Sequence, residues 1–98
     1  MLNQTVIVGR LVSDPQINET ENNRKTSTIT LAVPRGYKNT NGEYETDFIP
    51  VVLWNEIARN TTEYCRKGDL IGIKGRLQIK ENKVEVVAEK VTFLSSSK

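Results

Sequence analysis

Aromatic rings and cationic side chains occur together in the middle of this sequence. Four of its six aromatic residues lie between positions 37 and 54, and they are Tyr37, Tyr44, Phe48 and Trp54. Arg35 and Lys38 stand within two positions of Tyr37. Flat rings stack on nucleobases of any sequence, and cations neutralise phosphates. Side chains of these two kinds, brought to one surface, would bind single-stranded nucleic acid.

Strand alternation predicts which rings reach solvent. Residues 48–54 place Ile49, Val51 and Leu53 on one face of a β-strand, and Phe48 and Trp54 on the opposite face. If the aliphatic face fills the protein interior, both rings point outward. An outward pair of large aromatic rings is typical of a binding surface.

The same alternation predicts outward cations. In residues 70–80, Lys74, Arg76 and Lys80 oppose an inward set of Ile71, Ile73, Gly75, Leu77 and Ile79. On the first strand, Arg10 alternates with Ile7 and Leu11, so it points outward if those two side chains point in. The predicted nucleic-acid-binding residues are therefore Arg10, Arg35, Tyr37, Lys38, Phe48, Trp54, Lys74, Arg76 and Lys80.

Each of these side chains also has a purely structural interpretation. Trp54 is compatible with a core or subunit-interface position, and Phe48 with packing beneath a hairpin. The cations of residues 74–80 are compatible with simple solvation of a sheet face.

The elements that position these residues are five predicted strands and one helix. The strands lie at 5–12, 27–33, 48–54, 70–80 and 83–94, and the helix at 55–67. The motif Pro34-Arg35-Gly36 is expected to end the second strand. Five strands with a helix between the third and the fourth have the layout of the OB-fold, an all-β Greek-key barrel. We expect one domain at 1–94 and a frayed end at 95–98.

The predicted helix has its own boundary signals. Asn55 is a favourable N-cap, and Gly68 suits the position after the C-terminus. Arg66 and Lys67 are expected to interact with the C-terminal end of the helix. Tyr64 and Cys65 lie on the apolar side and are predicted to be buried.

Composition argues against several other classes of function. The chain of 98 residues has no histidine and a single cysteine, Cys65, so neither an intrachain disulfide nor a zinc site is expected. Its carboxylates lack metal-ligand spacing and its glycines form no phosphate loop, so we predict neither an enzyme nor a cofactor or small-molecule substrate. Without a signal peptide or membrane span, a cytoplasmic protein is expected. The net charge of +2 does not by itself distinguish a nucleic-acid-binding protein from a neutral domain.

Several segments, taken together, resemble bacterial single-stranded DNA-binding proteins. They are NQTVIVGRL at 3–11, DP at 14–15, TLAV at 30–33, NGE at 41–43, DFIPVVLW at 47–54, RKGDL at 66–70, GRL at 75–77 and VVAE at 86–89. The resemblance implies an OB-fold that oligomerises and wraps single-stranded DNA during replication, recombination and repair. It implies base stacking by Tyr37, Phe48 and Trp54. It also implies contacts between the DNA backbone and basic residues near Arg10, Arg35, Arg76 and Lys80.

The resemblance also implies that the first strand, through Val6 and Val8, pairs subunits; it favours a tetramer, with a dimer as the alternative. Two features depart from the family pattern. The turn at residues 80–83 is short where relatives have a long hairpin, and no acidic tip precedes Lys98. We therefore expect a short variant or a trimmed chain, and the short hairpin predicts a smaller DNA footprint. A primosomal-type assembly module that works through protein contacts is the alternative hypothesis.

Overall fold

A computed structural model of the chain describes residues 1–96, which form a closed β-barrel with one helix. The elements are β1 (Thr5–Leu11), β2 (Asn18–Glu19), β3 (Lys25–Lys38), β4 (Tyr44–Trp54), α1 (Asn55–Tyr64), β5 (Leu70–Lys80) and β6 (Lys83–Ser95). Apart from the two-residue β2, these are the five predicted strands, with the helix between the third and the fourth.

The barrel closes because β1 pairs with two strands at once. The hydrogen-bonded order is β1-β5-β6-β4-β3-β2, and an additional β1–β3 pairing joins the ends. Neighbouring strands are antiparallel except β4 and β6, which run parallel. This connectivity confirms the predicted five-stranded OB-fold Greek-key barrel.

Inward side chains of all five long strands fill the barrel. Leu31, Leu53 and Ile71 are almost completely buried, and the helix closes one end with Ala58 and Thr61. Cys65 is also buried, as predicted. Burial, with the nearby charge of Asp69 added, raises the pKa of the Cys65 thiol. The thiol therefore stays protonated and behaves as a small apolar side chain.

Several of the predicted element boundaries are wrong; β4, for example, begins at Tyr44 and not at Phe48. β3 does not stop at Pro34 but continues to Lys38. Its pairing with β4 is irregular between these two residues, and a strand accommodates a proline at such an irregularity. Asn55 is not the N-cap. Trp54 occupies that position with extended backbone, and Asn55 begins α1 with φ of +52°, which asparagine tolerates.

The helix also ends earlier than predicted, at Tyr64. Arg66 interacts with this end of the helix. The Arg66 guanidinium donates hydrogen bonds to the carbonyl oxygens of Thr62 and Cys65, at 2.9 and 2.7 Å. These are carbonyls that the end of a helix leaves without partners. Gly68, with φ of +90°, lies beyond the helix and donates to the Leu11 carbonyl.

Three residues predicted to be inward are exposed. Tyr64 lies at the last turn of α1, beside Phe93, with the two ring centroids 6.1 Å apart. Leu77 and Ile79 have the inward parity of β5 but belong to the part of the β5–β6 hairpin that projects past the barrel. The pairing of β5 with β1 ends at Gly75, so no barrel lies beneath these two side chains.

The C-terminal boundary differs by one residue from the expected one. β6 ends at Ser95, whereas the prediction placed the end of the last strand at Leu94. The predicted frayed end at 95–98 falls partly on residues 97 and 98, which lie outside the described residues. Within residues 1–96, no helix is both long and apolar enough to cross a membrane.

Gly75 marks the point where the hairpin leaves the barrel. β6 carries an extra residue here, so that Lys74 pairs with Lys90 while Gly75 pairs with Ala88. A Cβ atom on Gly75 would lie 2.1 Å from the Val87 carbonyl oxygen, which belongs to the backbone of the neighbouring strand. Only glycine allows the two strands to approach this closely.

We predict that Gly75→Ala lowers the free energy of unfolding by about 3 kcal/mol, because the added methyl group must push two strands apart. Urea unfolding followed by circular dichroism measures this change. Gly36→Ala is the matched control, since nothing lies within 4 Å of a Cβ atom there. Equal stability of the two variants would show that the close approach at Gly75 is relaxed without cost.

Candidate nucleic-acid interface

The outward side of β4 carries both predicted stacking rings. Phe48 is 65% exposed and Trp54 is half-buried. They are six positions apart on one strand, which separates them by about 20 Å along the barrel surface. Pro50 lies between them and is also exposed. The structure thus confirms that Ile49, Val51 and Leu53 of β4 point inward and these rings outward.

On one side of β4, the pairing brings Arg10 into the row of Phe48. Phe48 pairs with Ala32 of β3, and Ala32 pairs with Arg10 of β1. The three side chains therefore share the outer surface in neighbouring strands, about 5 Å apart from strand to strand. Arg10 is exposed and donates a hydrogen bond to the Gly68 carbonyl oxygen at 3.0 Å.

On the other side of β4, the pairing brings in Arg76. Val52 pairs with Val87 of β6, and Val87 pairs with Arg76 of β5. Further along the same face of β5, Lys80 is exposed and pairs across the hairpin turn with Lys83. We call the outward surface formed by Phe48, Pro50, Trp54, Arg76 and Lys80 the β4–β5–β6 face.

The turn of the β5–β6 hairpin is as tight as the sequence suggests. Its two residues, Glu81 and Asn82, have φ of +52° and +65°. Positive φ at both positions matches the twist of the flanking strands in a two-residue hairpin. The turn therefore holds Lys80 and Lys83, the two residues that flank it, side by side at the tip of the hairpin.

Arg35 is not a free cation. Its guanidinium donates to Glu45 at 2.8 Å and to both carboxylate oxygens of Asp47, the Nη2–Oδ1 distance being 3.0 Å. The hydrogen bond from Arg35 lowers the pKa of Asp47, and Asp47 in turn raises the pKa of Arg35. Two carboxylates therefore compete with a phosphate for the Arg35 guanidinium. The sequence alone did not place these carboxylates beside Arg35.

Tyr37 and Lys38 lie at the far end of the β3–β4 hairpin. Tyr37 is exposed, and the Lys38 amine stands 5.7 Å from the centroid of the Tyr44 ring. The turn is held by Asn39, whose side-chain oxygen accepts hydrogen bonds from the backbone N–H groups of Asn41 and Glu43, at 2.9 and 3.0 Å. Lys38 pairs with Tyr44, which has the same parity on β4 as Phe48, so the Lys38 and Tyr44 side chains extend the outward surface beyond Phe48.

Lys74 lies apart from the aromatic rings. It pairs with Val6, and both line a shallow groove with Val8 and Leu94. Val6, Val8 and Leu94 are exposed apolar side chains on the outside of the barrel. The barrel therefore has a second outward surface, mostly apolar, which contains the two residues predicted to join subunits.

The sequence interpretation missed Arg24, whose guanidinium carbon lies 4.4 Å from the centroid of the Trp54 ring. Arg24 stands in the turn before β3, two positions ahead of Thr26, which pairs with Trp54. Residues 16–25 appear in the sequence only as a polar loop, and the register of β3 against β4 is needed to place this arginine over the ring. In the part of the chain that the structure describes, no cluster of acidic or cysteine side chains could hold a metal ion.

Comparison with known proteins gives a consistent result. The model of the single-strand binding protein family matches residues 2–94. Single-stranded DNA-binding protein 1 of Lactococcus lactis is 44% identical over 107 residues, covering 100% of this chain and 71% of the relative. Single-stranded DNA-binding protein B of Bacillus subtilis is 41% identical over 103 residues, covering 96% of this chain and 91% of the relative.

A solved structure supports the fold assignment. The wild-type single-stranded DNA binding protein from Thermus aquaticus superposes with a TM-score of 0.79 at 29% identity. The match covers 96% of this chain but only 41% of the Thermus chain.

The ion pair between Arg35 and Asp47 makes a prediction about titration. In Arg35→Gln, we expect the pKa of Asp47 to rise towards the ordinary value of about 3.9, because the charged donor is gone. NMR titration of the Asp47 carboxyl carbon measures this shift. Arg10→Gln is the control, since Arg10 bonds to a carbonyl and should leave Asp47 unchanged. An Asp47 pKa that stays low without Arg35 would contradict the assignment.

Proposed function

Because the chain belongs to the single-strand binding protein family, we propose that it binds single-stranded DNA without sequence preference, across the β4–β5–β6 face. The observation that carries this proposal is the outward placement of Phe48 and Trp54 on β4, with Arg10 on one side and Arg76 on the other. Members of this family are DNA-binding proteins and not enzymes.

Base stacking supplies the contacts that do not depend on sequence. Every base presents a flat face, and stacking on an aromatic side chain contributes about 1–3 kcal/mol per base. Phe48 has the more accessible ring of the two on β4, because Trp54 is half-buried and partly covered. Tyr37, exposed at the hairpin end, offers a third ring along the same path.

Phosphate contacts come from cations on both sides of the rings. Arg10, Arg76 and Lys80 are exposed on the outer surface of the barrel, on β1 and β5, each of which is separated from β4 by one strand. Each cation that neutralises a phosphate releases counterions, so binding weakens as salt rises. Lys38 at the hairpin end extends this set towards Tyr37.

Arg35 has a different role in this proposal. Its hydrogen bonds to Glu45 and Asp47 join the two strands of the β3–β4 hairpin at the place where their pairing is irregular. Arg35 therefore holds the hairpin in the shape that presents Tyr37 and Lys38, and its own charge is already balanced. Lys74, on the other outward surface, is left out of the proposed DNA path.

The apolar outward surface fits a second copy of the chain. Members of this family are typically oligomers. Val6 and Val8 on β1, with Leu94 on β6, expose apolar area that association would remove from water. We propose that subunits pair through this surface, in a tetramer or a dimer. The DNA path then remains open, because β4 lies on a different part of the barrel.

The proposed biological role follows from sequence-independent binding. A protein that covers bases by stacking prevents them from pairing with each other and shields the strand. Such a protein protects single-stranded DNA during replication, recombination and repair. The protein would act in the cytoplasm, where bacterial DNA is held.

We predict that Phe48→Ala weakens binding to a dT oligomer about tenfold or more, because one stacking platform is lost. Fluorescence anisotropy of a labelled oligomer at fixed salt measures the affinity. Tyr64→Ala is a matched control. Tyr64 and Phe48 are both 65% exposed, but Tyr64 lies on α1 beside Phe93. Tyr64→Ala should therefore leave the affinity unchanged.

The double variant Phe48→Ala, Trp54→Ala distinguishes the proposal from its alternative. Under the proposal, the double variant binds DNA more weakly than either single variant. If the double variant binds DNA like the wild type but loses a protein partner, the chain is an assembly module and the proposed DNA path is wrong.

A further inference from the structure

Arg24 has a fixed backbone and an exposed side chain. It stands in the turn that joins β2 to β3, where its N–H donates to the Thr20 hydroxyl at 3.2 Å and its carbonyl accepts from the Thr20 N–H at 2.8 Å. Asn23, with φ of +62°, closes the same turn through a 2.9 Å hydrogen bond to the Thr20 carbonyl. The turn therefore fixes where the Arg24 side chain begins.

The Arg24 guanidinium covers Trp54 and is not balanced by a carboxylate. Its central carbon lies 4.4 Å from the ring centroid, within the range of a cation–π contact. Arg24 takes part in none of the ion pairs formed among residues 1–96, in contrast to Arg35 and Arg59. An exposed arginine without a carboxylate partner is available to an anion that approaches the ring.

The distance between Arg24 and Trp54 leaves no room for a base. At 4.4 Å the guanidinium already stacks on the ring, so a base that stacks on this side of Trp54 must replace it. The exposed side chain can swing away while its backbone stays in place. The phosphates that flank such a base would then be close to the displaced guanidinium.

We propose that Arg24 is a further DNA-binding residue, which covers Trp54 in the free protein and moves to a phosphate when a base stacks on the ring. This inference rests on the proposed function. It adds the β2–β3 turn to the DNA path, at the end of β4 opposite to the tip of the β3–β4 hairpin. On the face that Arg24 covers, Trp54 then becomes a stacking platform only when a base takes the place of the guanidinium.

The test compares the salt dependence of binding in the 98-residue wild type, Arg24→Gln and Arg24→Lys. Anisotropy of a labelled dT oligomer gives the affinity at several salt concentrations. Loss of one phosphate contact lowers the slope of log affinity against log salt by about 0.7. We expect that decrease for Arg24→Gln and a slope close to that of the wild type for Arg24→Lys. Arg59→Gln removes the same charge from α1, where Arg59 pairs with Glu56, and should keep the full slope.

A second measurement follows the ring itself. Trp54 is the single tryptophan, so acrylamide quenching of the free protein reports on this ring alone. We expect quenching to increase in Arg24→Gln, because the cover is removed. If quenching increases but the salt slope stays at the wild-type value, Arg24 only packs on Trp54 and the inference is wrong. If Arg59→Gln lowers the slope equally, the effect is one of net charge and the inference is again wrong. Absence of wild-type binding would instead overturn the proposed function.

Discussion

Closure of the barrel through the β1–β3 pairing is the constraint on which the remaining structure depends. Once the sheet is closed, every strand has one face towards the barrel interior and one face towards the outside. Val51 and Leu53 fill the interior, so the rings that alternate with them on β4 must lie outside. The same closure places Arg10 and Arg76 on the outer surface, on opposite sides of β4. The proposed DNA path is therefore a consequence of how the core is filled.

Side-chain alternation made much of this predictable from the sequence. The strands around Phe48, Trp54 and Arg76 contain regular alternating residues, and the structure places all three side chains as expected. Alternation failed where the barrel itself ends. Leu77 and Ile79 keep the inward parity, but β5 has no β1 neighbour beyond Gly75, so parity no longer means burial there. How far a hairpin projects depends on the pairing of distant strands, which a local pattern does not contain.

The features of the candidate site that the sequence did not contain have the same origin. Arg35 was predicted from its position beside Tyr37, yet its charge is balanced by residues 45 and 47, which reach it only through the register of β3 against β4. Arg24 was overlooked because its partner Trp54 lies thirty positions away in the sequence and is adjacent only across the same pair of strands. Residue type and spacing thus predict which side chains leave the barrel. The register decides which of them meet, and hence which cations remain available to a phosphate.

The most direct test of the account is to map the bound strand on the protein by NMR. The amide and side-chain resonances of the ¹⁵N- and ¹³C-labelled 98-residue chain would be followed as a dT oligomer is added. The account predicts that the largest shifts occur at Phe48, Trp54, Arg76 and Lys80, with little change at Val6 and Val8. Large shifts on the apolar surface around Val6, with the resonances of β4 unchanged, would contradict it.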